Sequence, residues 1–222
     1  MNEEKIAAAK SVLRAINELL AADRHQEALA IIDSGRQLAL DGGDRELAAT
    51  FVLTRAEIHV DQNEPERARD CLNDVVFDAA GTEAEAQAWY QLGAIARAEA
   101  DRETAANMFL RAASAFDRVS RPEGEALATQ AAGECRMELG QHQKALSALK
   151  RSSDRWGDTG DMPQVVYIGI LYADCLAAVG RMDDALSAIA EAVTGARMLG
   201  NSQLSALAGR SMRNIELLGA QA

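Results

Sequence analysis

The chain has 222 residues, 48% of them hydrophobic but only 4% aromatic, with three prolines and a formal net charge of −11. So large an acidic excess argues against unaided binding to nucleic acid or anionic membranes, where lysine and arginine must neutralise phosphate. An aromatic-poor composition rich in alanine suits closely approaching helices better than a bulky sandwich core. Residues 1–22 space Glu3, Glu4, Lys5, Lys10 and Arg14 along a helix and hold no apolar run long enough for a signal peptide or a membrane span, so a cytoplasmic protein is expected.

Helical periodicity and start and stop signals predict helices over 3–21, 24–41, 45–62, 65–80, 83–99, 102–118, 122–139, 142–155, 162–179, 182–199 and 202–218, and no strand. Capping pairs three residues apart mark several starts: Asp23 with Gln26, Asn63 with Glu66, Thr82 with Glu85, Ser120 with Glu123, and Asp161 with Gln164. Pro65, Pro122 and Pro163 fall in first turns, where a missing amide proton does little harm. Gly42 and Gly43, Gly81, Gly157 and Gly200 read as left-handed stops. The run from Asp154 to Asp161 has the carboxylates of a calcium loop without the alternation or closing glutamate of an EF-hand, and reads as a capped loop. The last helix carries Leu204, Leu207, Ile215 and Leu218 on one stripe, as a capping element would.

Within this succession Ala28, Ala68, Ala105, Ala145 and Ala185 recur at spacings of 40, 37, 40 and 40 residues. A large apolar residue follows each by four positions (Ile32, Leu72, Phe109, Leu149, Ile189), and a compact one by seven (Gly35, Val75, Ala112, Ser152, Ala192). That spacing is one face of a helix. Twelve positions before each alanine lies another residue on a preceding helix (Ile16, Ala56, Gly93, Gly133, Ala173), and five before it a turn position (Asp23, Asn63, Ala100, Gly140, Gly180). Each unit is therefore a helical hairpin that cannot bury its apolar face alone, and stacking several buries a continuous core. Cys135 and Cys175 occupy one slot of consecutive units, where the two preceding units hold Ile58 and Ile95, and read as small core residues.

The third unit, with Trp89, Leu92, Gly93, Ala105, Phe109 and Ala112, resembles a tetratricopeptide repeat; the other four keep the small-residue framework but have Val12, Val52, Thr129 and Gly169 in place of the tryptophan. The lengthened units resemble those of kinesin light chains and MalT-type regulators. The resemblance implies an all-α, right-handed solenoid forming one domain over 1–222, with five hairpins at about 3–41, 45–80, 83–118, 122–155 and 162–199 and a cap at 202–218. It also implies that first helices line a concave groove. Arg14 and Asn17 would face it from the first unit, Thr54 and Glu57 from the second, and Tyr90, Gln91 and Arg97 from the third. Glu134 and Met137 would follow from the fourth, then Tyr167, Ile170 and Asp174 from the fifth. One slot reads Asn17, Glu57, Ala94, Glu134, Asp174, an acidic row suited to an amphipathic, partly basic segment. Of the residues with which related domains clamp acidic chaperone tails, only Asn17 is matched, which disfavours that role.

No nucleophile has a visible base, no phosphate loop is present, His25 and His142 fall at equivalent places early in second helices and read as hairpin-corner packing or solvated positions, and His59 is alone, so neither catalysis, cofactor nor metal is expected. The expected function is a non-catalytic adaptor whose groove holds a segment of another protein. The alternatives are the regulatory or sensor arm of a bacterial signalling or transcriptional system, and a secretion-type chaperone for an apolar client. Self-association through Leu171, Tyr167 or Trp156 is a further expectation.

Overall fold

The computed structural model describes residues 2–220. Among them are eleven helices and no strand: α1 Asn2–Ala21, α2 His25–Gly42, α3 Arg45–Asp61, α4 Pro65–Asp78, α5 Glu83–Ala98, α6 Arg102–Arg118, α7 Pro122–Glu138, α8 His142–Thr159, α9 Met162–Ala178, α10 Met182–Met198 and α11 Ser202–Gly219. They gather into two compact units, divided between Ile95 and Ala96 in the last turn of α5. In the first unit α1 packs on α2, α2 on α3 and α3 on α4. In the second, each helix from α6 to α11 packs on its neighbour in the chain, and α9 also touches α11.

The five repeat alanines are all fully buried, at 0% exposure, and the large apolar residues four positions on are buried with them. A methyl group at the first position lets a partner helix approach closely. The Leu, Ile or Phe one turn later then fills the gap, each such burial being worth about 1.5–3 kcal/mol. Ile16, Ile32, Phe51 and Ile58 centre the first unit's core. The second is built on Leu149, Ile168, Ile170, Leu176, Ile189 and Ile215. Gly35 is needed where it stands, because a Cβ there would lie 2.3 Å from the Phe51 ring.

Every connection between consecutive helices contains one residue with positive φ: Asp23, Gly43, Asn63, Gly81, Ala100, Ser120, Gly140, Gly160, Gly180 and Gly200. In most of them the next residue's amide reaches back five positions, as from Arg24 to the Leu19 carbonyl at 2.9 Å and from Gln141 to that of Arg136 at 2.8 Å, closing a Schellman turn. This corrects the capping expectation at three sites. Asp23, Asn63 and Ser120 close the preceding helix in the left-handed region instead of capping the next, and Arg24, Glu64 and Arg121 stand at the cap position without a side-chain bond to the helix's first amides. Short polar side chains tolerate both jobs, and a two-residue turn requires the left-handed one first. Thr82 with Glu85 and Asp161 with Gln164 do cap, the Asp161 carboxylate accepting from the Gln164 amide at 3.2 Å.

A second correction concerns the acidic run. α8 continues to Thr159 and its left-handed stop is Gly160, not Gly157, so Asp154 and Asp158 lie on a helix surface while Asp161 caps α9. These carboxylates do not converge as calcium ligands would.

Ala100, the one alanine in a left-handed turn among the described residues, offers a stability test. Replacing Ala100, at φ 66°, by glycine is expected to raise unfolding free energy by about 0.5–1 kcal/mol, somewhat less than the strain relieved because glycine also loosens the unfolded chain. Gly140→Ala, at φ 70° in the equivalent turn, is expected to lower it by about 1 kcal/mol. Urea melts of the two variants beside the parent measure both.

Candidate interaction surface

Because α7 and α9 hold the same register, residues four and seven apart on each line up on the side away from their own hairpin partner. Glu134 sits at the middle of a side-chain network there. Arg97, in the last turn of α5, donates from Nη1 to Glu134 Oε2 at 3.0 Å and from Nη2 to Glu138 Oε1 at 2.6 Å. Arg102 pairs with the other oxygen of Glu138 and donates from Nη1 to the Arg97 carbonyl at 2.8 Å. Glu134 Oε1 accepts from Gln130 Nε2 at 3.2 Å and from the Tyr167 hydroxyl at 3.4 Å, and Trp156 Nε1 donates to Gln130 Oε1 at 3.3 Å.

Burial alone would raise the Glu138 carboxyl, but Arg97 and Arg102 hold it below the usual carboxylate range. Burial likewise works against the charge on Arg97, and its hydrogen bonds to Glu138 and Glu134 prevail, leaving the guanidinium firmly protonated. The Tyr167 phenol is pushed up by burial and by the neighbouring Glu134 charge. Charge-assisted bonds that share members in this way hold one another's side chains in place. The acidic residue of the fourth unit is therefore matched by arginine, and it does not offer a bare negative charge.

Asp174 of α9 is held differently. It accepts from the Ser211 hydroxyl of α11 and has no ion pair among the described residues, and burial pushes its carboxyl up. A carboxyl whose folded pKa lies above its unfolded one costs stability as pH rises between the two values, because the unfolded chain releases the proton first. Asp174→Asn, which keeps an oxygen for Ser211, is expected to be more stable than the parent at neutral pH. Its advantage should vanish once the pH falls below the ordinary aspartate range, which paired thermal melts across pH will read.

In the first unit Glu57 accepts from Gln91 Nε2 at 3.0 Å, and desolvation pushes its carboxyl up despite that bond. Arg14 and Asn17 are exposed on α1, and Tyr90 is half-buried on α5. Met137 is half-buried against the second unit's core. Two expected groove residues lie elsewhere. Ile170 is 1% exposed within the second core, and Thr54 is buried with its hydroxyl donating to the Thr50 carbonyl at 2.9 Å. Both stand beside positions that do face outward, and a helix turns its side chains inward over little more than one residue.

Between α7, α9 and α11 lies an open depression of about 560 Å³, bordered by Gln130, Gln164, Tyr167, Asn201, Gln203, Leu204, Leu207 and Arg210, with Pro163 at its edge. Arg210 is exposed and has no ion-pair partner among the described residues. Sequence reasoning assigned α11 to capping alone and missed its share of this surface. The signal was available, since one further step of 40 residues from Tyr167 lands on Leu207 and from Ile170 on Arg210. α11 nevertheless has Arg213 in the slot where the five hairpins carry Ile16, Ala56, Gly93, Gly133 and Ala173, so a second helix cannot approach it as closely.

The chemistry of this surface is that of amides, one phenol, one free guanidinium and apolar methyl groups. Among the described residues no group of His, Cys, Asp and Glu has the grouping to hold a metal ion, and no helix is long and apolar enough to cross a membrane. Cys135 and Cys175 are 0% exposed, and burial pushes the Cys175 thiol up to about 11, so it stays protonated at neutral pH.

No family model matches the sequence, and no curated protein matches it. Among solved structures, the chain is similar to the nearly identical TPR-like repeats of a kinesin light chain from Podosopora anserina, with a TM-score of 0.64, 13% identity, and coverage of 89% of this chain and 98% of that one. It is similar to aspartyl phosphate phosphatase F from Bacillus subtilis, with a TM-score of 0.64, 13% identity, and coverage of 96% of this chain and 62% of that one. It also matches a Rap protein complexed with Competence and Sporulation Factor, with a TM-score of 0.59, 17% identity, and coverage of 96% and 61%. The chain thus spans less than two thirds of the latter two proteins, and identities this low carry the fold alone.

Proposed function

We propose that this chain, which has the all-helical repeat fold of tetratricopeptide proteins, is a non-catalytic adaptor that holds an extended segment of another protein against its first-helix face. The observation that carries the reading is the depression between α7, α9 and α11 beside the Arg97–Glu134–Tyr167 network. Gln130, Gln164, Asn201 and Gln203 supply both donors and acceptors for a peptide main chain, Leu204 and Leu207 supply apolar contact, and Arg210 supplies a charge without an ion-pair partner among the described residues. The network keeps Tyr167 and Gln130 in place before a partner arrives, which lowers the ordering cost of association.

A photo-crosslinking residue at Leu207 tests this directly. Placed there in the full chain, it is expected to trap a discrete partner from the native cell, and Arg210→Glu in the same protein is expected to abolish the adduct. The same residue at Thr194, exposed on α10, serves as the reference position. Equal adducts from both positions, or an adduct indifferent to Arg210→Glu, would overturn the first-helix face as the binding surface.

A further inference from the structure

The most exposed aromatic side chain of the first unit has no part in its fold. Phe77, on α4, is 85% exposed, and Leu40 of α2, which borders the same hollow, is 43% exposed. That hollow, about 440 Å³ between α2, α3 and α4, has Ala48, Ala49, Val52 and Val75 in its lining and Arg36, Arg45, Asp74 and Asp78 at its rim. The repeats serve as one another's controls. Nine positions after the repeat alanine, where the second unit has Phe77, the others have Gln37, Ser114, Asp154 and Thr194, all exposed and all polar. The hairpin therefore makes no demand for an apolar residue there, and an aromatic ring left in water beside a hollow lined in part by alanine and valine is a contact waiting for a partner.

Charge decides what kind. Residues 1–95 contain nine Lys and Arg against eighteen Asp and Glu, so most of the chain's acidic excess belongs to this unit. Asp70, Asp74 and Asp78 fall one per turn along α4, on the helix that carries Phe77. Asp78 has a long pairing with Arg36 at 3.7 Å, whereas Asp70 and Asp74 have no ion pair among the described residues. In contrast to the second unit, where Arg97 and Arg102 match Glu134 and Glu138, Asp70 and Asp74 are left to an incoming group and Asp78 is only loosely held.

We propose that the hollow between α2, α3 and α4 receives a basic amphipathic segment of another protein, its apolar side chains covering Phe77 and Leu40 and its Lys or Arg side chains meeting Asp70, Asp74 and Asp78. This surface combines the second helices α2 and α4 with part of α3, and its residues are distinct from those that line the depression proposed above.

The test is selection from a random-peptide display library on the full chain, repeated on Phe77→Ser and on Asp74→Lys. Both side chains are exposed, so neither change removes core packing. The parent is expected to enrich peptides with Lys or Arg flanking apolar residues. A synthetic peptide from that pool should bind either variant at least about tenfold more weakly, the loss of roughly one interface hot-spot contact, and more weakly still in high salt. The proposal is overturned if no basic pool is enriched, if the enriched peptides are acidic, or if Phe77→Ser recovers the same peptides with equal strength. It is also overturned if light scattering finds the parent dimeric and Phe77→Ser monomeric, which would assign the hollow to a second copy of this chain.

Discussion

Removing both arginines that face Glu125 is expected to destabilise the second unit more than any other change to its polar side chains. Glu125, in the first turn of α7, is 1% exposed, and its two oxygens are taken by Arg151 at 2.6 Å and Arg155 at 2.7 Å, both from α8. With Arg151→Ala and Arg155→Ala together, the Glu125 carboxylate stays in the interior without a counter-charge, and an unpaired buried charge costs about 3–5 kcal/mol. The reverse change is milder. Arg151 and Arg155 are 41% and 38% exposed, so in Glu125→Gln both reach water and the loss is expected to be only about 1–2 kcal/mol. Urea unfolding at neutral pH, with unchanged denaturant slopes, reads the asymmetry; equal losses from the two sides would show that Glu125 is not sealed from solvent.

The second large effect is expected in the first unit. Phe51 is 0% exposed and its ring occupies the space that a side chain at Gly35 would need. Phe51→Ala should cost about 3–5 kcal/mol through lost burial and a residual cavity. The repeats suggest the cure. In register, the pair Gly35 and Phe51 becomes Val75 and Ala88, then Ala112 and Ala128, then Ser152 and Ile168, so no pair joins two large residues and a large one on one helix stands opposite a small one on the other. Gly35→Val in the Phe51→Ala background copies the second of these pairs. It is expected to restore roughly half the loss, whereas Gly35→Val alone should destabilise by about 1–3 kcal/mol from overpacking. Additive losses in the double variant would mean that the two positions do not share one space.

How much of the molecule was legible beforehand follows from the range of the forces involved. The eleven helices were readable to within a few residues because their periodicity and their turns are local. The error at the end of α8 came from two glycines three residues apart, Gly157 and Gly160, of which only a full turn of helical hydrogen bonds selects the second as the stop. Asp23, Asn63 and Ser120 were misread because one short polar side chain suits either end of a two-residue turn.

The candidate surface was less legible. The repeat register brought Glu134, Tyr167 and Arg97 to one face, but it treated α11 as a lid and left out Arg210 and Leu207. It also counted Glu57, Glu134 and Asp174 as equal members of an acidic row. They differ because Arg97, 37 residues from Glu134 in the chain, pairs with it across helices, while Ser211 is what Asp174 finds. The strength and sign of a charged position depend on such partners and on how much water they exclude.

By itself, then, the order of amino acids determined that this protein is a tandem of helical hairpins, since a small residue, a large one a turn later and a left-handed residue at each connection act within a few residues of chain. The tertiary structure alone decided which carboxylates are neutralised, that Ile170 and Thr54 turn inward, and that Phe77 stands over an open hollow. Those outcomes rest on distances between residues far apart in sequence and on desolvation, and neither quantity exists until the helices have packed.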